Sequence, residues 1–178
     1  MRIIQEGDEF RFASKIRREE AREDDRKIDQ QAARRRLLAD TLSGGRYSNK
    51  TPKGLNRDAV LLSLVGYLGA PYVYGGSTKT GIDCSGFTGA VYSAAVHMSL
   101  PRSAHDQYDV GKEVGPADLE FGDLVFFNTT GESPSHVGIY IEDDLFAHAS
   151  VTSGVTISSL ESTYYKNRYV GARRLVAP

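Results

Sequence analysis

The chain's only cysteine, Cys84, sits in Gly-Ile-Asp-Cys-Ser-Gly-Phe (81–87), and four histidines are available to serve it. A cysteine acts as a nucleophile when its thiol can lose a proton, a base stands near it and substrate can reach it. Residues 85–96 read as a helix with Phe87, Val91, Ala94 and Ala95 on one face, so Cys84 falls at its start. Unpaired N–H groups and the positive end of the helix dipole favour a thiolate there. Asp83 fits the N-cap, and the small Ser85 and Gly86 fit the first turn. Taken alone, the motif favours an inert core thiol, the commoner fate of a lone cysteine.

A base must then come from a histidine. His97 and His105 lie in an unpatterned stretch after the helix and read as surface or structural residues. His136 opens His-Val-Gly-Ile-Tyr-Ile (136–141), where Val137, Ile139 and Ile141 form the apolar face and His136 points away from it. His148 lies in the next strand-like run, Leu145 to Ser150. Register decides whether the two meet. A two-residue loop at Asp143–Asp144 pairs Glu142 with Leu145 and puts His148 on the opposite face from His136. An odd loop puts both on one face. A Cys84–His136–His148 site is therefore expected to require an odd loop. In it His136 takes the thiol proton, and His148 bonds the far nitrogen of His136 and fixes its tautomer. The same three residues with Asp83 could bind zinc, but the paired spacings of zinc sites are missing, so no metal and no cofactor is expected.

The elements that must hold these residues are legible around them. Val60, Leu61, Leu64, Val65 and Leu68 form one stripe of an earlier helix. Strand-like runs follow at 122–128, 136–141, 145–150, 155–160 and 169–176, so helices first and an antiparallel sheet afterwards give an α+β domain. Residues 13–42 are helix formers with mixed charge and few apolar positions, read as a solvated helix lying on the domain; a spacer, an autoinhibitory segment or a dimerisation helix are the sharper alternatives. Residues 42–54 read as a linker. The division expected is thus a charged helical extension and linker at 1–54 and a catalytic domain at 55–178.

Residues 1–50 hold 13 Lys and Arg against 10 Asp and Glu, and residues 51–178 hold 9 against 13. An acidic body gives no support to nucleic-acid binding. One cysteine excludes an internal disulfide framework. No apolar run approaches the roughly 18 residues of a membrane-spanning helix.

Six ordered motifs resemble the NlpC-type cell-wall cysteine peptidases of bacteria: residues 69–76, 81–87, 100–108, 119–127, 135–141 and 146–150. The resemblance covers roughly residues 56–175. It implies a papain-like α+β fold, with the nucleophile at a helix start packed on a small antiparallel sheet. It implies hydrolysis of peptidoglycan stem peptides, most often between D-glutamate and a diamino acid such as diaminopimelate, in an extracytoplasmic setting such as the periplasm or cell envelope. By the same resemblance Cys84 is the nucleophile, His136 the base, His148 the third polar residue and the Cys84 N–H an oxyanion donor. Tyr72 reaches the site, Asp83 and Ser85 hold the substrate's free amine, and Arg102 and Ser103 lie in the neighbouring loop. An anchor removed from the chain is the one route to a membrane. An N-acetylmuramoyl-L-alanine amidase or an acyltransferase on the same dyad is the alternative chemistry, and a non-enzymatic wall-binding protein the alternative class. Tyr74 departs from the pattern, standing where the family often has tryptophan.

Overall fold

The computed structural model describes residues 3–42 and 55–176. Most of the expected linker, residues 43–54, lies outside them. In chain order the elements are α1 (Ile3–Arg26), α2 (Gln30–Leu42), α3 (Arg57–Tyr67), β1 (Ser77–Thr78), β2 (Gly81–Ile82), α4 (Cys84–Val96), α5 (Ala104–Tyr108), β3 (Lys112–Val114), β4 (Leu124–Phe127), β5 (His136–Glu142), β6 (Leu145–Ser150), β7 (Gly154–Ser159), α6 (Thr163–Lys166) and β8 (Tyr169–Arg174). Strands β3-β8-β4-β5-β6-β7 form one six-stranded sheet with every neighbouring pair antiparallel. This is the expected α+β class.

Both faces of the sheet are covered. Leu124, Phe126, Val137 and Ile139 join α3 and α4 in one core through Leu64, Phe87 and Val91. Val125, Phe127 and Phe146 face the other way, into a second cluster with Ala21 of α1 and Tyr164 and Tyr165 of α6. The four consecutive buried residues of β4 follow from this: a strand covered on both sides has no solvent face to mark with polar residues. His136 does point away from the Val137 face, but into the second core.

The helix stripe of α3 is as expected at Val60, Leu61, Leu64 and Val65, all buried, whereas Leu68 is the C-cap after the helix and only half-buried; Asn56 caps the start through the Ala59 N–H at 3.0 Å. In α4 the buried set differs by one turn position. Ala94 is exposed, while Tyr92 is buried and its hydroxyl donates to the Gly122 carbonyl.

The extension is two helices, not one. The break falls at 27–29, where the Asp29 carboxylate accepts the N–H groups of Gln31 and Ala32, both at 3.0 Å, and so starts α2. These helices are more than a solvated layer. The Gln30 side-chain amide pairs with edge strand β7 as another strand would, donating to Ile157 O at 2.7 Å and accepting from Ile157 N at 3.0 Å. The Asp24 carboxylate accepts the Tyr164 N–H at 2.7 Å.

The β5–β6 connection corrects the sequence expectation. The loop is the two-residue one, Asp143–Asp144, both with positive φ (50° and 59°), and Glu142 does pair with Leu145. Between Tyr140 and Glu142, however, the register slips by one residue. Beyond that bulge Tyr140 pairs with Phe146 and Ile139 with Ala147, which sets His148 across from Gly138. His136 and His148 therefore share a face as diagonal neighbours. A bulge, not an odd loop, supplies the extra residue. Gly138 is the residue that allows it: a Cβ there would lie 2.8 Å from both Ala147 O and the Phe146 ring and 3.1 Å from the His148 Cβ.

Candidate active site

Cys84 is the first residue of α4 and is only 8% exposed. Asp83 is the N-cap, its Oδ1 accepting the Gly86 N–H at 2.8 Å. Arg102 grips the same carboxylate with two prongs, Nη1 to Oδ1 at 2.9 Å and Nη2 to Oδ2 at 2.8 Å, and the Gly75 N–H adds a further bond to Oδ2 at 2.8 Å. Burial would raise this carboxyl, but the Arg102, Gly86 and Gly75 donors outweigh it and hold it below its ordinary value. Ser85 Oγ donates to the Arg102 carbonyl at 2.6 Å and accepts from Arg102 Nη1 at 2.9 Å. The loop bearing Arg102 is thereby pinned to the helix start. Gly86 leaves room for this, since a Cβ would meet Gly76 O at 2.4 Å.

The helix start does not make the thiol acidic. Burial, with the Asp83 charge added, pushes it up to about 11, against the opposing N–H groups of Val137, Ser85 and Cys84 itself. At this depth desolvation opposes the pull of the helix dipole toward a thiolate. The Val137 N–H beside the sulfur brings Cys84 against the start of β5, one residue from His136.

His136 Nε2 lies 2.8 Å from His148 Nδ1. The rings stand at 89° with centroids 5.0 Å apart, and Phe127 packs on His136 while Phe146 and Tyr165 pack on His148. Burial, then the neighbouring His148, lowers the His136 pKa, with Asp25 pulling the other way; burial alone lowers that of His148. Burial thus favours the neutral imidazole at both positions. His136 Nδ1 has no hydrogen-bond partner among the described residues, so the nitrogen that a base would use is left open. A buried cysteine at a helix start and a histidine pair held across two strands are the groups that thiol acyl transfer uses.

A model of the NlpC/P60 family matches residues 69–174. The chain belongs to this family. The Escherichia coli K12 protein named Murein DD-endopeptidase MepS/Murein LD-carboxypeptidase is 48% identical over 109 residues, 61% of this chain and 57% of that protein. The Gamma-DL-glutamyl hydrolase of Bacillus subtilis 168 is 44% identical over 110 residues, 61% of this chain and 27% of that protein. Among solved structures, a lipoprotein-like NLP/P60 family protein of Staphylococcus aureus Mu50 superposes with a TM-score of 0.63 at 34% identity, covering 74% of this chain and 46% of that one. The chain spans little more than half the length of the first of these relatives.

Of the other positions named from the sequence, Tyr72, Asp83, Ser85 and Arg102 gather around Cys84. Burial, then the charges of Cys84 and Asp83, pushes the Tyr72 hydroxyl up to about 12, which puts it within electrostatic reach of the thiol. Ser103 stands apart from this group as the cap of α5, its hydroxyl accepting the Asp106 N–H at 3.1 Å and donating to Asp106 Oδ2 at 2.7 Å.

Two residues that the sequence reading passed over lie behind the histidines. His148 Nε2 is 2.9 Å from Ser158 Oγ, and Ser158 donates to Asp25 Oδ1. Asp25 belongs to α1, outside the stretch that the NlpC/P60 model matches. A signal for it was present: Asp24 and Asp25 occupy the last turn of a helix, where the dipole disfavours negative charge, so each needs a partner from elsewhere in the fold. A cleft of about 190 Å³ opens beside His136 and is lined by Arg17 and Arg18 of α1 together with Thr129, Thr130 and Tyr164; Cys84 does not line it.

Proposed function

We propose that this chain is a cysteine peptidase acting on peptidoglycan stem peptides, opening the amide between the D-glutamate γ-carboxyl and a diamino acid such as diaminopimelate. The observation carrying the reading is the 2.8 Å His136–His148 bond, which leaves His136 Nδ1 free one residue from the N–H that meets the Cys84 sulfur. The thiol attacks the amide carbonyl and its proton passes to His136 Nδ1 in the same step, since burial pushes the thiol up and favours its protonated form. The Cys84 N–H donates to the oxyanion. His136 then protonates the leaving amine, giving a thioester. Water, deprotonated by His136, hydrolyses the thioester and restores the thiol. Arg17 and Arg18 beside His136 suit a substrate rich in carboxylates, and the cell envelope is the compartment where it occurs.

A second bond has support of its own. Both Asp83 oxygens are engaged by Arg102 and backbone N–H groups, so a free L-alanine ammonium would have to displace Arg102 to pair there. The 48% identical relative is named a DD-endopeptidase, and a D,D cross-link presents no such ammonium. Digestion of defined muropeptides with product masses decides: a fragment ending at γ-D-glutamate supports the first bond and split dimers the second. Products of an N-acetylmuramoyl-L-alanine amidase, or none at all, overturn both.

A further inference from the structure

We propose that Asp25, from the N-terminal helix α1, is a positioning residue of the catalytic site, fixing the tautomers of His148 and His136 through Ser158. The proposal deepens the peptidase reading above and rests on it for its catalytic meaning.

A line of hydrogen bonds runs from Asp25 through Ser158 and His148 to His136, with Ser150 and Ser153 joining it at the carboxylate. Asp25 is 4% exposed, and its carboxylate receives three hydroxyls: Ser150 and Ser153 donate to Oδ2, both at 3.0 Å, and Ser158 donates to Oδ1. An ionised carboxylate can only accept, and a serine hydroxyl has one proton to give. Ser158 gives that proton to Asp25, so toward His148 Nε2, 2.9 Å away, it must accept. His148 therefore carries its proton on Nε2, and as a neutral ring its Nδ1 has only a lone pair. Facing that lone pair at 2.8 Å, His136 Nε2 must be the protonated nitrogen. His136 Nδ1 is then the unprotonated one, as a base for the Cys84 thiol requires. Each bond has its direction set by the next, and the line ends on the one group that cannot donate.

The carboxylate also matters as a charge. When His136 accepts the thiol proton an imidazolium forms in a buried site, and the Asp25 charge favours it. The rest of α1 docking is separable, because Asp24 bonds Tyr164 N and Lys27 without touching the line.

The test uses the full chain with 15N-labelled histidine. Long-range proton–nitrogen spectra report which ring nitrogen carries the proton, with no need for substrate. Wild type should show the Nε2–H tautomer for both His136 and His148. Asp25→Asn should mix the tautomers and lower kcat on muropeptides about tenfold or more, with KM little changed. Ser158→Ala, which leaves Asp25 bonded to Ser150 and Ser153, should do the same and add little to Asp25→Asn in the double variant. It also keeps the proposal exposed to refutation if Asp25→Asn fails to fold. Asp24→Asn should loosen α1 and leave the tautomers alone. An Nδ1–H tautomer at either histidine in wild type, unchanged spectra and kcat in both Asp25→Asn and Ser158→Ala, or equal tautomer mixing in Asp24→Asn would overturn it. If wild type cuts no muropeptide while the tautomers respond as described, the peptidase reading fails and the positioning role of Asp25 stands.

Discussion

His136 and His148 meet at 2.8 Å across a strand pair whose two-residue turn would by itself have placed them on opposite faces. One bulged residue between Tyr140 and Glu142 restores the shared face. The histidine pair is thus built on a register correction.

Replacing His148 tests the bond directly. His148→Ala frees the His136 ring to turn and to change tautomer, so kcat should fall roughly 10- to 100-fold with a smaller change in KM. Cys84→Ala should reduce product release from purified peptidoglycan to background, with the thermal transition of wild type preserved. Retained hydrolysis in Cys84→Ala would sink the assignment of the nucleophile.

The buried thiol sets a second expectation. With burial and the Asp83 charge pushing it up to about 11, Cys84 of the free protein should react slowly with iodoacetamide at neutral pH, with a midpoint well above the roughly 8.5 of a free thiol. Mass spectrometry of the alkylated peptide across pH gives the midpoint. A value below 7 would mean that a resting thiolate exists after all.

Acid should destabilise the fold through the histidine pair. Both pKa values are lowered in the folded state, by burial in each case. Below the unfolded value of about 6.5 the unfolded chain binds more protons than the folded one, so stability falls as pH falls. Each histidine contributes up to about 1.4 kcal/mol per pH unit. The raised Asp25 carboxyl acts in the opposite sense, and the lowered Asp83 and Asp24 carboxyls lose their contribution below their ordinary value near 3.8. Between pH 6.5 and about 4.5 the histidines dominate, and urea midpoints should drop on acidification. His148→Gln should lessen the slope; a midpoint that rises toward pH 5 would contradict the assigned protonation.

The β5–β6 turn offers a stabilising change. Asp144 is exposed and holds φ at 59°, a conformation that glycine adopts without the cost of a Cβ. Asp144→Gly should raise stability by about 0.5–1 kcal/mol with activity unchanged, read from thermal unfolding. Asp143 is better kept, because Arg36 pairs with it at 2.7 Å.

Much of the domain was legible from local pattern. Strands β5 and β6 were found nearly to the residue because Val137, Ile139 and Ile141 alternate with residues of another kind. The start of α4 was legible from Asp83 and the small residues after Cys84. Three-residue β3 was missed, since Lys112, Glu113 and Val114 carry no alternation long enough to read. The extension misled more seriously. Its run of helix formers hid the break before Asp29, and its mixed charge concealed that Ala21, Asp24 and Asp25 are buried against the sheet's second face.

By itself the sequence determined the α+β class, the helix that begins at Cys84, strands β4 to β8 and the six motifs of the NlpC/P60 family, because each is written in neighbouring residues. Only the tertiary structure decided that His136 and His148 share a face, that burial pushes the Cys84 thiol up, and that a carboxylate more than a hundred residues away ends their hydrogen-bond line. Those outcomes depend on a bulge, on depth of burial and on a helix docked from outside the family match. Each is a property of what packs against a residue, which no local spacing records.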